Sequence, residues 1–222
     1  DCFTAHRKFV TDFCKAYQQE FDLPFHINAR PETLDDDICR MLSDAGCRRV
    51  CIGIENGSET FRREVLGRRQ TNAQIEAGFA ACHRAGLKTK SFNIVGFPHE
   101  TPAIHQETVE LNARINPDSV IIGVFEPYPG TQLAEICLKE GFIDATRAGE
   151  EFVGRTDTTL KMPQFPRKEI LHCFRTFAYR VYRRHSLRKA LFLRIYYSPY
   201  GEFLIRVFDP IKGLLRRMTM GV

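Results

Sequence analysis

The sequence predicts a parallel α/β fold, and three observations carry the prediction. Four short apolar runs, at residues 25–30, 50–54, 88–95 and 119–125, each follow a helical pattern, the alternation that a parallel sheet with crossover helices requires. The stretch from Ala45-Gly46 to Ile54 recurs in outline as Ala85-Gly86 to Gly96, so the repeating unit is helix then strand. Past each apolar run the residues turn polar, most of them beside a glycine, at the strand ends where such folds bind ligands. Periodicity alone does not separate a barrel from an open doubly wound sheet.

Each element has its own signal. Phe9, Val10, Phe13, Ala16 and Tyr17 recur at helical spacing between Ala5 and Phe21, and Leu23-Pro24 ends the pattern before a strand at Phe25 to Arg30. Thr33 is expected to cap the next helix, Asp35-Asp36-Asp37 to suit its positive end, and Ala45-Gly46 to stop it before the strand Val50 to Ile54. Thr71-Asn72-Ala73-Gln74 reads as a capping box opening a helix to about Ala85-Gly86, with the strand Lys88 to Val95 after it. Thr101-Pro102 starts a helix to Ile115 and leads to the strand Ser119 to Phe125. A further helix follows Pro129-Gly130-Thr131 and runs to Lys139.

From about Asp144 to Thr159 the chain is polar and unpatterned, and a domain boundary is placed there, with 1–145 as the α/β part and 146–222 as a basic helical extension. Helices are expected at Glu169 to Arg184 and Leu187 to Tyr197, then a turn at Ser198-Pro199-Tyr200-Gly201 and a last stretch to Met220 interrupted by Asp209-Pro210.

Composition narrows the class. With 222 residues, 43% of them apolar, the chain can bury a core, and no apolar run reaches the roughly 18 residues of a membrane span. Charge is uneven: residues 160–222 hold 14 Lys or Arg against 3 Asp or Glu, and residues 1–159 hold 18 against 24. Phe192, Leu193, Ile195, Tyr196, Phe203 and Leu204 interleave with Arg188, Lys189, Arg194 and Arg206. Such a pattern fits helices packed on the α/β part, or a basic surface for the inner face of a membrane, with nucleic acid the weaker partner. The second use defines the alternative to an enzyme, a non-catalytic binding module.

Eight cysteines without even close pairing point to a reducing, cytoplasmic compartment, and Cys47 and Cys51 read as structural. His26, His83, His99, His105 and His172 make no spaced zinc set. A Gly-Lys-Ser/Thr phosphate loop, a three-glycine dinucleotide turn and a Gly-x-Ser-x-Gly elbow are all missing. Lys88 and Lys90 stand early in their strand, which disfavours a Schiff-base aldolase.

The polar strand ends are Asn28 and Arg30, Glu55-Asn56-Gly57-Ser58, Gly96 to Thr101, and Glu126 to Thr131. Glu55 directly follows an apolar strand, where a carboxylate accepts from hydroxyls or an ammonium, or pairs with Arg30. Gly57 is expected to let backbone amides approach a ligand. Gly96 with Pro98 ends a strand without bulk, leaving a flat wall beside Ile94 and Val95.

Together these stretches resemble the C-terminal half of the radical domain of radical S-adenosylmethionine enzymes, in particular the class with a cobalamin-binding domain ahead of it. Asp1-Cys2-Phe3-Thr4 is similar to the end of that family's Asp-Asp-x-Phe-Thr stretch, and Asn28-Ala29-Arg30 to its next strand. Ala45-Gly46-Cys47 with Ile52 to Ser58 resembles Ala-Gly-Cys and Ile-Gly-Ile-Glu-Ser-Gly-Ser, with Asn56 for the usual Ser. Asn93 to Thr101 resembles Phe-Ile-x-Gly-x-Pro-Gly-Glu-Thr, with His99 for the usual Gly, and Tyr128-Pro129-Gly130-Thr131 completes the set.

The resemblance implies a partial (β/α) barrel that uses S-adenosylmethionine and a [4Fe-4S] cluster, with cobalamin as a further cofactor, to generate a 5′-deoxyadenosyl radical for hydrogen abstraction, methylation or rearrangement. It places Arg30, Glu55 and Ser58 at the polar part of S-adenosylmethionine, Asn93, Ile94, Gly96 and Pro98 at the adenine wall, and Tyr128 at the rim. It implies a small-molecule or lipid-like substrate and an upstream cobalamin domain as partner. The family's Cys-x3-Cys-x2-Cys cluster motif does not occur in the 222 residues. Its ligands are expected ahead of Asp1, which makes the chain a fragment, inactive by itself.

Overall fold

A computed structural model describes residues 2–143, 156–198 and 201. Four parallel strands, β1 (Phe25–Ala29), β2 (Cys47–Glu55), β3 (Lys88–Val95) and β4 (Ser119–Val124), pair in sequence order as an open arc, a partial barrel. Around them lie α1 (Arg7–Glu20), α2 (Asp36–Asp44), α3 (Glu59–Glu64), α4 (Asn72–Arg84), α5 (Pro102–Ile115), α6 (Gln132–Lys139), α7 (Arg167–Tyr182) and α8 (Leu187–Tyr196).

Period-two alternation sorts the strands into two faces. Val50, Ile52 and Ile54 of β2 and Thr89, Ser91, Asn93 and Val95 of β3 are buried under the helices, while Cys51, Gly53 and Glu55, with Lys90, Phe92 and Ile94, are half-buried on the concave side. The register runs evenly from Arg49↔Lys88 to Gly53↔Phe92 and then slips, so that Glu55 is level with Asn93. A slip of one residue sends neighbouring side chains to opposite faces, and here it separates Glu55 from Asn93.

The helix-side core falls into two clusters along the arc. Val10, Ile38, Leu42, Ile75 and Phe79 pack on β1 and β2. Phe165, Ile170, Phe177 and Val181 of the C-terminal part pack with Val95, Val120 and Val124, and Ala190 and Leu193 of α8 join the same core. The described part of the basic extension therefore packs on the barrel.

Most boundaries follow the local chemistry. The capping box at Thr71 and Gln74 is formed, Thr101 Oγ1 accepts from the Ile104 amide ahead of Pro102, and Gly46 and Gly86 take positive φ after α2 and α4. The cap of α2 is a correction: it is Asp35, whose carboxylate accepts from the Ile38 amide at 2.8 Å. Thr33 instead closes a 3-10 turn, Pro31–Thr33, and donates to the Arg30 carbonyl at 2.7 Å. Helix α3 has no sequence-based counterpart, and β2 starts three residues earlier than its apolar run, at Cys47.

Ser198 and Gly201 aside, the expected C-terminal turn and the last stretch to Met220 lie outside the described residues, as do residues 144–155 of the polar loop. Among the described residues no helix is long and apolar enough to cross a membrane.

Candidate functional site

The carboxyl ends of β1, β2 and β3 open onto a cleft of about 570 Å³ lined by Cys2, Asn28, Ala29, Arg30, Cys51, Gly53, Glu55, Arg68, Gln70 and Phe92. Glu55 is part of that lining. Its backbone takes φ +65°, a conformation that L-residues other than Asn, Asp and Gly seldom adopt, and its Oε1 meets a guanidinium nitrogen of Arg68 at 3.0 Å. Gly53 is part of this arrangement, because a Cβ there would stand 2.8 Å from Glu55 Oε1. Arg30 pairs with Glu32 at 2.7 Å rather than with Glu55, and its side chain stays more than half exposed beside the cleft.

The residue after Glu55 is locked. Asn56 is fully buried, its Nδ2 donates to Glu100 Oε1 at 2.9 Å, and its Oδ1 accepts from the Ser58 amide. Glu100, equally buried, also accepts from the amides of Gly96 at 2.6 Å and Phe97 at 3.1 Å. Burial pushes its carboxyl up to about 8 against these three donors, and the nearby His105, 3.9 Å away, is held down to about 3 by its own burial.

A second clamp comes from α3. Arg62 is fully buried and donates to the Asn56 carbonyl at 2.7 Å, the Gln70 carbonyl at 2.9 Å and Asn72 Oδ1 at 2.7 Å. It thereby joins the Glu55-bearing tip of β2 to the loop that delivers Arg68 and Gln70. Gly57 serves the helix layer and not a ligand, which corrects the expectation for it: its amide donates to Thr108 Oγ1 at 2.8 Å, and a Cβ would stand 2.3 Å from the Thr108 Cα.

Of the eight sequence-predicted positions, the structure brings Arg30 and Glu55 to the cleft. Ser58 is buried ahead of α3. Asn93 faces the helices, where Asn112 Nδ2 donates to its Oδ1 at 2.7 Å and its own Nδ2 donates to the Ile121 carbonyl at 3.1 Å. Ile94 is partly buried against the α7 core, and Gly96 and Pro98 are buried, with Ile170 of α7 within 3.3 Å of where a Gly96 Cβ would sit. Tyr128 is exposed on the loop after β4. Arg68, Gln70 and Phe92 escaped the sequence reading; the one signal available for the first two was the dense polar run Gly67-Arg68-Arg69-Gln70 soon after the Glu55 turn.

The cleft thus offers a carboxylate, two guanidiniums, two amides and an aromatic face, a set suited to a zwitterionic amino acid joined to a hydroxylated or aromatic group. It does not offer a metal centre: among the described residues no group of three or more His, Cys, Asp or Glu is placed to hold an ion. Burial pushes Cys47 up to about 12 and raises Cys14 and Cys51, so these thiols stay protonated at neutral pH.

Known proteins resemble this chain in sequence and in fold. Residues 3–111 match the model of the radical SAM superfamily. An uncharacterized methyltransferase of Pyrococcus horikoshii is 25% identical over 217 residues, 97% of this chain and 45% of its own length; the chain spans less than half of that relative. Among solved structures, coproporphyrinogen III oxidase (HemN) from Escherichia coli, described as a radical SAM enzyme, superposes with TM-score 0.54 at 20% identity, over 75% of this chain and 35% of that one. The radical S-adenosylmethionine methyltransferase TsrM of Kitasatospora setae, with cobalamin and a [4Fe-4S] cluster bound, gives TM-score 0.51 at 18% identity, over 60% and 26%. These likenesses show the partial-barrel fold.

Proposed function

We propose, from the match of residues 3–111 to the radical SAM superfamily, that the chain belongs to that superfamily and that the cleft receives the amino-acid and ribose parts of S-adenosylmethionine. One observation carries the reading: Glu55 is held at the tip of β2 with Arg68 at 3.0 Å, and Arg30 lines the same cleft. The donor set fits the ligand. The Glu55 carboxylate accepts from an ammonium or from ribose hydroxyls, the guanidiniums of Arg30 and Arg68 bind a carboxylate, and Phe92 lines the same cleft. In this reading Ile94, Gly96 and Pro98 at the tip of β3 are assigned to the adenine side and the exposed Tyr128 to the rim, all four outside the lining of the cleft itself, and Ser58 and Asn93 act from behind the wall by holding the strand tips.

Bound beside a reduced iron-sulfur cluster, S-adenosylmethionine supplies one-electron cleavage of its sulfonium, for hydrogen abstraction or methyl transfer. The described residues lack a three-thiolate set, so the [4Fe-4S] ligands are assigned to sequence outside these 222 residues. Methyltransferase relatives, one of them with cobalamin bound, support a cobalamin-binding domain as neighbour and a methyl-transfer reaction on a small-molecule or lipid-like substrate. Eight free cysteines support a reducing, cytoplasmic setting.

The test is binding and cleavage of S-adenosylmethionine by the full-length protein, reconstituted anaerobically with iron and sulfide. Retained binding with 5′-deoxyadenosine formation, both reduced about tenfold or more in Glu55→Gln and Arg68→Ala, is the expected result. A reconstituted protein that neither binds nor cleaves the molecule, or variants that match the parent, would overturn the reading.

A further inference from the structure

Helix α8 is apolar on two opposed sides. Ala190 and Leu193 are buried in the core shared with α7. Leu187, Leu191 and Ile195 are 57%, 49% and 50% exposed, and at about 100° per residue they form one stripe along the outer face, with Arg188 along one edge and Arg194 along the other. A helix covered on one side only carries polar residues on its outer face, so this stripe is unexplained by packing within the described residues.

The charge around the stripe has one sign. From residue 183 to residue 201 the sequence has Arg183, Arg184, Arg188, Lys189 and Arg194 and no Asp or Glu, and the four arginines are exposed. Lys189 turns inward, its Nζ donating to the Asp118 carbonyl at 2.6 Å and standing 3.5 Å over the Tyr182 ring. That anchor fixes α8 at the amino ends of β3 and β4, the end opposite the cleft. The remaining sequence does not complement the charge, because residues 202–222 contain Arg206, Lys212, Arg216 and Arg217 against Glu202 and Asp209.

We propose that α8 lies flat on an anionic lipid surface, with Leu187, Leu191 and Ile195 at the acyl boundary and Arg188 and Arg194 at the headgroup phosphates. An apolar stripe edged by guanidiniums matches the depth profile of a bilayer interface, apolar below and anionic at headgroup level. A nucleic acid would use the arginines and leave the stripe wet. Because α8 and the cleft lie at opposite ends of the strands, lipid contact leaves the cleft mouth open, and the proposal stands independently of the cofactor reading.

The sequence contains no tryptophan, which gives a clean reporter. Leu191→Trp places one on the stripe and Phe9→Trp one on the exposed outer face of α1, both in the full chain. On adding phosphatidylcholine vesicles containing phosphatidylserine, the Leu191→Trp emission is expected to shift to the blue and the Phe9→Trp emission to stay. In flotation with the same vesicles the parent chain binds, Leu187→Ser/Leu191→Ser/Ile195→Ser loses binding, and Arg188→Gln/Arg194→Gln binds about thirty-fold more weakly. An unshifted Leu191→Trp spectrum would overturn the proposal even if the triple-serine variant misfolds. So would equal flotation on uncharged vesicles, or retention on single-stranded DNA without flotation.

Discussion

Asn56 Nδ2 donates to Glu100 Oε1 at 2.9 Å between two fully buried side chains, and this bond ties the tip of β2, where Glu55 sits, to the turn after β3. Glu100 also caps the amides of Gly96 and Phe97, so one carboxyl organises both strand ends behind the cleft. Replacing it with Ala leaves three buried donors unpaired and is expected to destabilise the fold by about 3 kcal/mol or more in urea unfolding.

The same residue sets a pH dependence. Burial raises the Glu100 pKa to about 8 from the ordinary 4.5, so between those values the folded state holds a proton that the unfolded state has released. Stability contributed by this group is present below about pH 4.5 and is lost as pH rises towards 8. Chemical unfolding from pH 5 to 8.5 should show the decline in the parent chain and a flatter profile in Glu100→Gln. Parallel profiles would place the titration elsewhere.

Arg62 offers a test of positioning without touching the cleft. It holds the carbonyls of Asn56 and Gln70 together, and burial lowers its pKa without discharging it. Arg62→Met is expected to cost about 3 kcal/mol of stability by leaving those carbonyls unpaired. It should also weaken S-adenosylmethionine binding, because the loop bearing Arg68 loses its tether. Arg62→Lys, which keeps charge but not the two-pronged reach, should recover stability better than binding. Equal recovery of both would mean that Arg62 has no positioning role.

How much of this was legible depends on which interactions are local. Helices announced by caps, such as Thr71 with Gln74 and Thr101 with Pro102, and strands bounded by Gly46 and Gly86 could be read directly, since those signals act within a few residues. Glu55 and Arg30 could be placed because each stands at the carboxyl end of a parallel strand and within a stretch that resembles the family's motifs. Asn93 lies on the helix side because it alternates in phase with the buried Thr89, Ser91 and Val95 of β3, while Glu55, level with it, owes its place to a register slip set by pairing with β3, which no single strand records. Arg68 and Gln70 sit on an aperiodic loop that Arg62 of the six-residue α3 holds in place, and so short a helix carries too little periodicity to be seen. The role of Gly57 could not be inferred either, because its constraint is α5, fifty residues downstream.

His99 occupies a left-handed position, φ +66°, in the turn after β3, where the resembling family has glycine. Its ring offsets part of the strain, with Nε2 at 3.2 Å from Glu140 Oε1 and an edge-on contact to Phe142. The side chain is 44% exposed, so that pair contributes little. His99→Gly is therefore expected to raise stability, by up to about 1 kcal/mol, read as a higher urea midpoint with unchanged slope. A lower midpoint would show that the Glu140 and Phe142 contacts outweigh the backbone strain.

Glu55 is the second strained position, and there relief of strain and loss of function should part company. Glu55→Gly removes the left-handed penalty, of order 1 kcal/mol, together with the partly exposed Arg68 pair, which is worth less than that. Its stability is expected to equal or exceed that of the parent. Glu55→Gln keeps the strain and the shape but loses the charge, so its stability should fall slightly. Both should bind S-adenosylmethionine at least about tenfold more weakly in calorimetry, since neither presents a carboxylate to an ammonium or a ribose. Strain retained only where a side chain is needed is the pattern of a functional position. If Glu55→Gly instead unfolded readily while Glu55→Gln bound as well as the parent, Glu55 would be a structural turn residue, and the polar contacts of the cleft would rest on Arg30, Arg68 and Gln70.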